Sequence, residues 1–277
     1  HTFLYPESYG LAFRLAHRLI LPALGKRAAA ITTVSGLSRD HLAEFGIAPR
    51  DKIAITYNGA DHARRWNPAR STLDVASRPF VFCIGQKQPY KNMQLIWSIA
   101  PALDALGFDI YMAGNMAGED LQSFGGEWPR NLRLLGRVSD DDLAKALQRA
   151  FCFLFPSRIE GFGIPAIEAM IWNCPVIAAD APCLPEVCGD AALYAAPDDR
   201  QAWLDAIAAL ATDPALYRRQ VQNGTRRAMR FSWRRVAEIY LQLMARIDGI
   251  NILPETGNSR QDVGSRMTQS DRVPTAA

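Results

Sequence analysis

Two glutamates, Glu160 and Glu168, are separated by seven residues that begin Gly161-Phe162-Gly163-Ile164-Pro165. The apolar run ending at Phe155 predicts a buried strand, and Pro165 suits the first turn of a helix, where its missing N–H leaves no bond unmade. The segment therefore reads as strand, glycine-containing loop and helix start. Unpaired backbone N–H groups at such a start, with glycines that permit close approach, suit an anion such as a diphosphate. The two carboxylates, one before the loop and one a turn into the helix, can accept hydrogen bonds from sugar or ribose hydroxyls. Read without a ligand, the same residues make a plain strand-turn-helix, with Glu168 an acid favoured by the helix dipole. Gly161, Gly163 and Ala166 also satisfy GxGxxG/A, and Asp180 ends the following strand, as in a dinucleotide-binding unit of an NAD-type oxidoreductase. Against that stands the spacing. A dinucleotide loop turns straight from strand to helix, whereas here Pro156 to Glu160 intervene, and no residue set for hydride transfer stands out.

A second glycine-ended strand, Phe80 to Gly85, is followed six residues on by Lys91-Asn92, with Lys87 between. Ser139-Asp140-Asp141-Asp142 contains D-x-D, a metal-binding pattern. Ser139 with an acid three residues later reads better as the N-cap of a helix over 140–149, its acids favoured by the dipole. Cys83, Cys152, Cys174, Cys183 and Cys188 are odd in number, lie in apolar or turn surroundings and form no CxxC pair, which reads as buried thiols in a reducing cytoplasm.

These residues must be positioned by an α/β scaffold. The chain has 277 residues, 49% apolar and 21% charged, enough for two ordinary domains. Its net charge of +3 and lack of a basic, aromatic-interleaved block exclude a nucleic-acid partner. Strand and helix patterns alternate, which predicts parallel sheets covered by helices. A helix is expected over 8–27, a strand over 29–34, a helix over 36–45 and a strand over 52–56. The stretch 66–79, with prolines at both ends, reads as an interdomain linker. A second series follows, with strands at 80–85, 108–112, 131–135, 151–155 and 175–179. Helices are expected at 91–106, 140–149, 164–172 and 200–211, then 214–229 and 232–248. In such sheets ligands bind beyond the C-terminal ends of the strands.

With its Glu-Gly-Phe-Gly-Ile-Pro-Ala-Ile-Glu segment, the chain resembles the family 4 retaining glycosyltransferases of GT-B architecture. Val34-Ser35 with Ser38-Arg39 is similar to the family's V-S-x-x-S segment, and Asn58-Gly59-Ala60-Asp61 to its N-G-x-D turn. Gly85 with Lys91-Asn92 is similar to the glycine loop and K-N pair that hold a donor diphosphate. Leu135-Gly136-Arg137-Val138-Ser139 resembles the segment beside the base, and Pro185-Glu186 through Ala191-Ala192 the P-E-x-x-G-x-A-A loop. Phe231-Ser232-Trp233 opens the helix that crosses back to the first domain in that family.

The resemblance implies two Rossmann-like βα domains, the first incomplete: residues 1–65 as its C-terminal part, the linker, and a donor domain over 80–230. A crossing helix over 231–249 and a disordered tail over 250–277 follow. It implies transfer of a glycosyl unit from a nucleotide diphosphate sugar to a hydroxyl acceptor with retention, in surface polysaccharide or glycolipid assembly. Glu160 and Lys91 are then the catalytic candidates, Glu160 orienting the donor and Lys91 stabilising the departing diphosphate. Gly85, Lys87, Arg137, Val138, Gly161, Phe162, Gly163 and Glu168 bind the donor, with Glu168 on the ribose. No metal or other cofactor is expected. Relatives commonly carry an arginine in the loop before the lysine of the K-N pair; here only Lys87 offers a second local charge, without an arginine's bidentate fork. The family's His-Asp pair would lie just ahead of Thr2, so His1 reads as its neighbour, and the chain alone is expected to bind donor without transferring sugar. A non-catalytic nucleotide-sugar-binding fragment is the alternative within this fold.

Residues 10–27 place Leu11, Phe13, Leu15, Leu19, Ile20 and Leu24 among Arg14, His17, Arg18, Lys26 and Arg27. That pattern fits either a helix packed on the first domain's sheet or peripheral contact with an anionic membrane surface. A glycan or lipid-linked acceptor and a cytoplasmic location, extending to the inner membrane face, are expected with it. Leu253-Pro254-Glu255-Thr256-Gly257 spells a sortase signal, but the polar residues after it lack the apolar stretch such a signal needs.

Overall fold

The computed structural model describes residues 3–75 and 78–250. His1 and the 251–277 tail with its Leu253–Gly257 motif lie outside the described residues. Helix α1 (Leu11–Arg27), strand β1 (Ile31–Thr33), helix α2 (Gly36–Glu44) and strand β2 (Ile53–Ile55) open the chain. Strands β1 and β2 pair in parallel as a two-stranded sheet. The Ser35 hydroxyl caps α2 by accepting the Ser38 N–H at 3.1 Å. The helix expected from residue 8 begins at Leu11, because Pro6–Ser8 forms a separate 3-10 turn. Among the residues of α1 only Gly25 is buried, and Leu11, Leu19 and Leu24 are more than half exposed. Among the described residues no helix is long and apolar enough to cross a membrane.

The second unit runs β3 (Phe80–Gly85), α3 (Met93–Ala105), β4 (Asp109–Gly114), α4 (Gly118–Gln122), β5 (Leu132–Gly136), α5 (Asp140–Arg149) and β6 (Cys152–Phe155). It continues with α6 (Ile164–Ile171), β7 (Val176–Ala179), α7 (Leu184–Cys188), β8 (Ala192–Ala195), α8 (Arg200–Thr212) and α9 (Pro214–Ala228), before α10 (Trp233–Asp248). Its six strands pair in parallel in the order β5-β4-β3-β6-β7-β8. Phe80, Val81, Phe82, Phe153, Leu154, Val176 and Ile177 are all at most 1% exposed, as expected where helices cover both faces of a parallel sheet. All five cysteines are buried and free, and burial pushes the Cys83 thiol up to about 12.

Strand β8 and helices α4 and α7 are absent from the sequence expectation. Residues 185–192 resemble a loop in the sequence, yet Pro185 to Cys188 lies in α7, and Ala192 to Ala195, without β-branched residues, becomes a strand by pairing with β7. The helix expected from 91 starts at Met93, because Pro89–Lys91 forms a 3-10 turn and Asn92 takes the left-handed conformation, φ 58°.

Within the expected linker, residues 67–73 are strapped to the start of α5. Asp141 accepts the Asn67 N–H at 2.6 Å, and Asp142 accepts the Ser71 hydroxyl at 2.7 Å and the Thr72 N–H at 2.9 Å. Ser139 and Asp142 also form a reciprocal capping box on α5. The acids of the D-x-D pattern that make these bonds are thus cap and strap. Hydrogen bonds from Ser71 and Ser139 lower the Asp142 pKa to about 2. Its stabilising contribution is therefore complete above the ordinary carboxylate range and fades only as pH falls toward that value. Ser139→Ala is expected to destabilise the fold by about 1 kcal/mol, read as a lowered urea midpoint with unchanged slope; an unchanged midpoint would show that the cap contributes nothing.

Helix α10 is clipped to the chain near residue 60. The Ala60 N–H donates to Phe231 O at 3.0 Å, and Asp61 accepts the Trp233 N–H at 2.8 Å. A Cβ on Gly59 would lie 2.3 Å from the Trp233 nitrogen, so only glycine allows this approach. Farther along α10, the Tyr240 hydroxyl lies 2.9 Å from the Thr32 hydroxyl and donates or accepts there, which ties the helix to β1.

Candidate functional site

The chain leaves β3 toward β4 and β5 on one side of the sheet and returns through β6 to the other. The loops after β3 and β6 therefore diverge and leave a crevice at the point where strand order reverses, the usual place for a ligand in such a sheet. These are the loops that carry Lys91 and Glu160. Their side chains meet, with Lys91 Nζ 2.6 Å from Glu160 Oε1 and the two side chains 15% and 10% exposed. Removing such charges from water is costly unless they are paired, so the pair holds both in place.

The two loops are also tied through their backbones. The Arg158 N–H donates to Tyr90 O at 2.8 Å, and the Asn92 amide donates to Pro156 O at 3.3 Å and Pro197 O at 2.8 Å. The Arg158 guanidinium donates to Asn92 Oδ1 at 3.0 Å and to Asp198 at 2.6 Å. Arg158 is thus a brace across the crevice floor. Gly85, at the end of β3, has no room for a side chain: a Cβ there would lie 2.6 Å from the Met112 sulfur.

Gly163 stands at the N-cap position of α6 with φ 96°, and a Cβ would fall 2.9 Å from Leu184 and 3.1 Å from Phe155. This left-handed turn, with Pro165 in the first turn, aims the helix start at the loop. Gly161 and Phe162 lie at the seam with the first unit. Gly161 O accepts the Ser38 hydroxyl at 3.4 Å, while the Phe162 ring, 3% exposed, packs edge-on against Phe231 at 5.3 Å. On the first-unit side of Glu160 a cavity of about 240 Å³ is lined by Leu4, Leu21, His41, Phe45 and Gly161.

Glu168 is 8% exposed on α6 and accepts from His62 Nε2 at 2.9 Å. Burial raises its pKa, and the hydrogen bond from His62 opposes the rise. Lys87 is about half exposed and pairs with Asp120 on α4 at 3.0 Å. Val138 is partly buried against the core, and Arg137 is exposed, with no hydrogen bond or ion pair among the described residues. The structure therefore joins Lys91 to Glu160 directly and sets Gly85, Gly163 and Glu168 on the elements flanking them. It engages Lys87 elsewhere and makes no bond to Arg137. Among the described residues no group of three or more His, Cys, Asp or Glu side chains is placed to hold a metal ion.

Sequence reasoning missed His62, Arg158 and the role of Glu186. The Glu186 carboxylate accepts the Gly36 N–H at 2.8 and 3.1 Å and the Tyr57 hydroxyl at 3.0 Å. It sits at the positive end of α2 and joins the two units. The only trace of His62 in the sequence is its place directly after Asn58-Gly59-Ala60-Asp61.

Residues 78–213 match the family model described as Glycosyl transferases group 1. The O-antigen chain mannosyltransferase RfbU of Salmonella typhimurium is 30% identical over 213 residues, covering 74% of this chain and 57% of that protein. The O-antigen chain mannosyltransferase B of Escherichia coli is 30% identical over 216 residues, covering 73% and 57%. The chain thus spans somewhat over half the length of these relatives. Among solved structures, sucrose-phosphate synthase from Thermosynechococcus elongatus superposes with a TM-score of 0.72 at 21% identity, over 88% of this chain and 63% of that one. Anabaena HepE, in complex with UDP and glucose, gives 0.68 at 17% identity, over 88% and 69%. These likenesses show the fold, which is GT-B.

Proposed function

We propose that this chain, with its glycosyl transferases group 1 domain and GT-B fold, serves transfer of a glycosyl unit from a nucleoside diphosphate sugar to a hydroxyl acceptor with retention at the anomeric carbon. The observation that carries this reading is the Lys91–Glu160 pair closing the crevice between β3 and β6. A diphosphate entering there meets a cation already held in place and the positive N-terminal end of α6, which together stabilise the charge developing on the leaving group. Glu160 then exchanges its bond to Lys91 for the sugar hydroxyls and orients the donor, while Glu168 accepts from the ribose. Gly85 and Gly163 let the phosphates approach the backbone, and Arg137 with Val138 flanks the base. No residue here needs a metal for that work.

The named relatives favour a mannosyl donor and an acceptor in polysaccharide assembly, either a glycan or a lipid-linked saccharide. Exposed leucines and basic residues on α1 fit peripheral contact at the cytoplasmic membrane face. The test is product stereochemistry. With an α-configured nucleotide sugar and a hydroxyl acceptor, proton NMR of the product should show the α anomer. A β product, or no sugar transferred by the protein in its longest natural reading frame, would overturn the proposal.

A further inference from the structure

His62 occupies a place that the donor-binding roles leave unexplained. Its Nε2 lies 2.9 Å from Glu168 Oε1, and its Nδ1 lies 3.1 Å from Trp233 Nε1. An indole N–H can only donate, so Nδ1 must accept. The imidazole proton therefore sits on Nε2 and is donated to Glu168, which leaves a neutral ring in one tautomer. We propose that His62 is a positioning residue for the Glu168 carboxylate, its tautomer set by Trp233, so that the second carboxylate oxygen is presented to the vicinal hydroxyls of a nucleotide ribose. The inference rests on the ribose role given to Glu168 above.

The surroundings hold this ring as a fixed part. Trp66 packs edge-on to it at 5.7 Å, and the Trp233 ring lies 6.3 Å away. The preceding residue, Asp61, accepts the Trp233 backbone N–H, so the side chains of Asp61 and His62 grip the main chain and the indole of the same tryptophan. Glu168 Oε2 has no hydrogen-bond partner among the described residues and is not fully enclosed, so it is open to a donor from outside the protein. An ionised carboxylate oxygen so placed can accept from an entering hydroxyl. A ribose offers two adjacent donors. Fixing the carboxylate plane beforehand means that the ribose does not have to order it on binding. The relay also links the start of α10 to the donor crevice.

The experiment is isothermal titration of the full chain with UDP and 2′-deoxy-UDP, and with GDP and 2′-deoxy-GDP. The wild type is expected to prefer the ribose form by about 10-fold or more, as for a lost hydrogen bond to a charged acceptor. His62→Ala should bring that preference close to unity while leaving the affinity for the deoxy form within about threefold. Trp233→Phe keeps an aromatic ring without the N–H and should reduce the preference partly. His62→Gln, which can still donate to Glu168 and accept from Trp233, should retain most of it. A purely structural role would weaken both ligands alike and leave the ratio unchanged. An unchanged ratio in His62→Ala with circular dichroism matching the wild type would overturn the positioning role, and an unchanged ratio in Trp233→Phe would overturn the tautomer relay. No preference in the wild type would remove the ribose role of Glu168 itself, a failure separable from the other two.

Discussion

Lys91→Ala is expected to weaken nucleoside diphosphate binding by about 30-fold to several thousandfold, the equivalent of about 2–5 kcal/mol for truncating one member of a buried charge pair. Lys91 is 15% exposed and lies 2.6 Å from Glu160. Its removal has two consequences of the same sign. The diphosphate loses its nearest cation, and the Glu160 carboxylate, freed of its partner, repels the incoming phosphates across the same crevice. Lys87→Ala should cost less than about 1 kcal/mol, under about fivefold, because an exposed pair such as Lys87–Asp120 is screened by solvent. Isothermal titration with one nucleoside diphosphate decides the matter. If Lys87→Ala is the more damaging change, the diphosphate lies beside α4 and not between β3 and β6.

Glu168→Ala is expected to weaken nucleotide-sugar binding by roughly 10- to 150-fold, from the loss of hydrogen bonds to a charged acceptor worth roughly 1.5–3 kcal/mol. The same residue predicts a pH dependence. Burial raises its pKa above the ordinary carboxylate value, with His62 pulling the other way. The ionised form is the better acceptor. As pH falls through the raised value the carboxylate takes up a proton, so affinity should decline at a higher pH than an exposed glutamate would give. Glu168→Gln, which cannot titrate, should bind more weakly at neutral pH and show no decline in that window. Equal donor affinity in wild type and Glu168→Ala would remove the ribose assignment, and a pH decline that persists in Glu168→Gln would place the titrating group elsewhere.

The loop after β6 and the start of α5 were legible in the sequence because their cues are local. An apolar run ending at Phe155, glycines at 161 and 163 and a proline at 165 announce strand, turn and helix start within a dozen or so residues. Ser139 and Asp142 announce a cap three residues apart in the same way. Strand β8 was not legible, since Ala192–Ala195 becomes a strand only by pairing with β7. His62 was not legible either. Its partners lie 106 and 171 positions away in the chain, and neither helical nor strand periodicity carries a trace of contacts over such distances. Lys87 and Lys91 lie close in the chain, yet their ammonium groups pair with different carboxylates, Asp120 and Glu160.

The proposed function requires the crevice between β3 and β6 to hold a nucleoside diphosphate sugar. The direct measurement is isothermal titration of the chain with a panel of UDP-, GDP-, ADP- and dTDP-sugars alongside NAD and NADP. Saturable one-to-one binding of at least one ribonucleoside diphosphate sugar is expected, lost in Lys91→Ala, with dTDP-sugars weaker for want of a 2′-hydroxyl. Binding of NAD or NADP in preference to every sugar nucleotide, with Lys91→Ala unaffected, would contradict it.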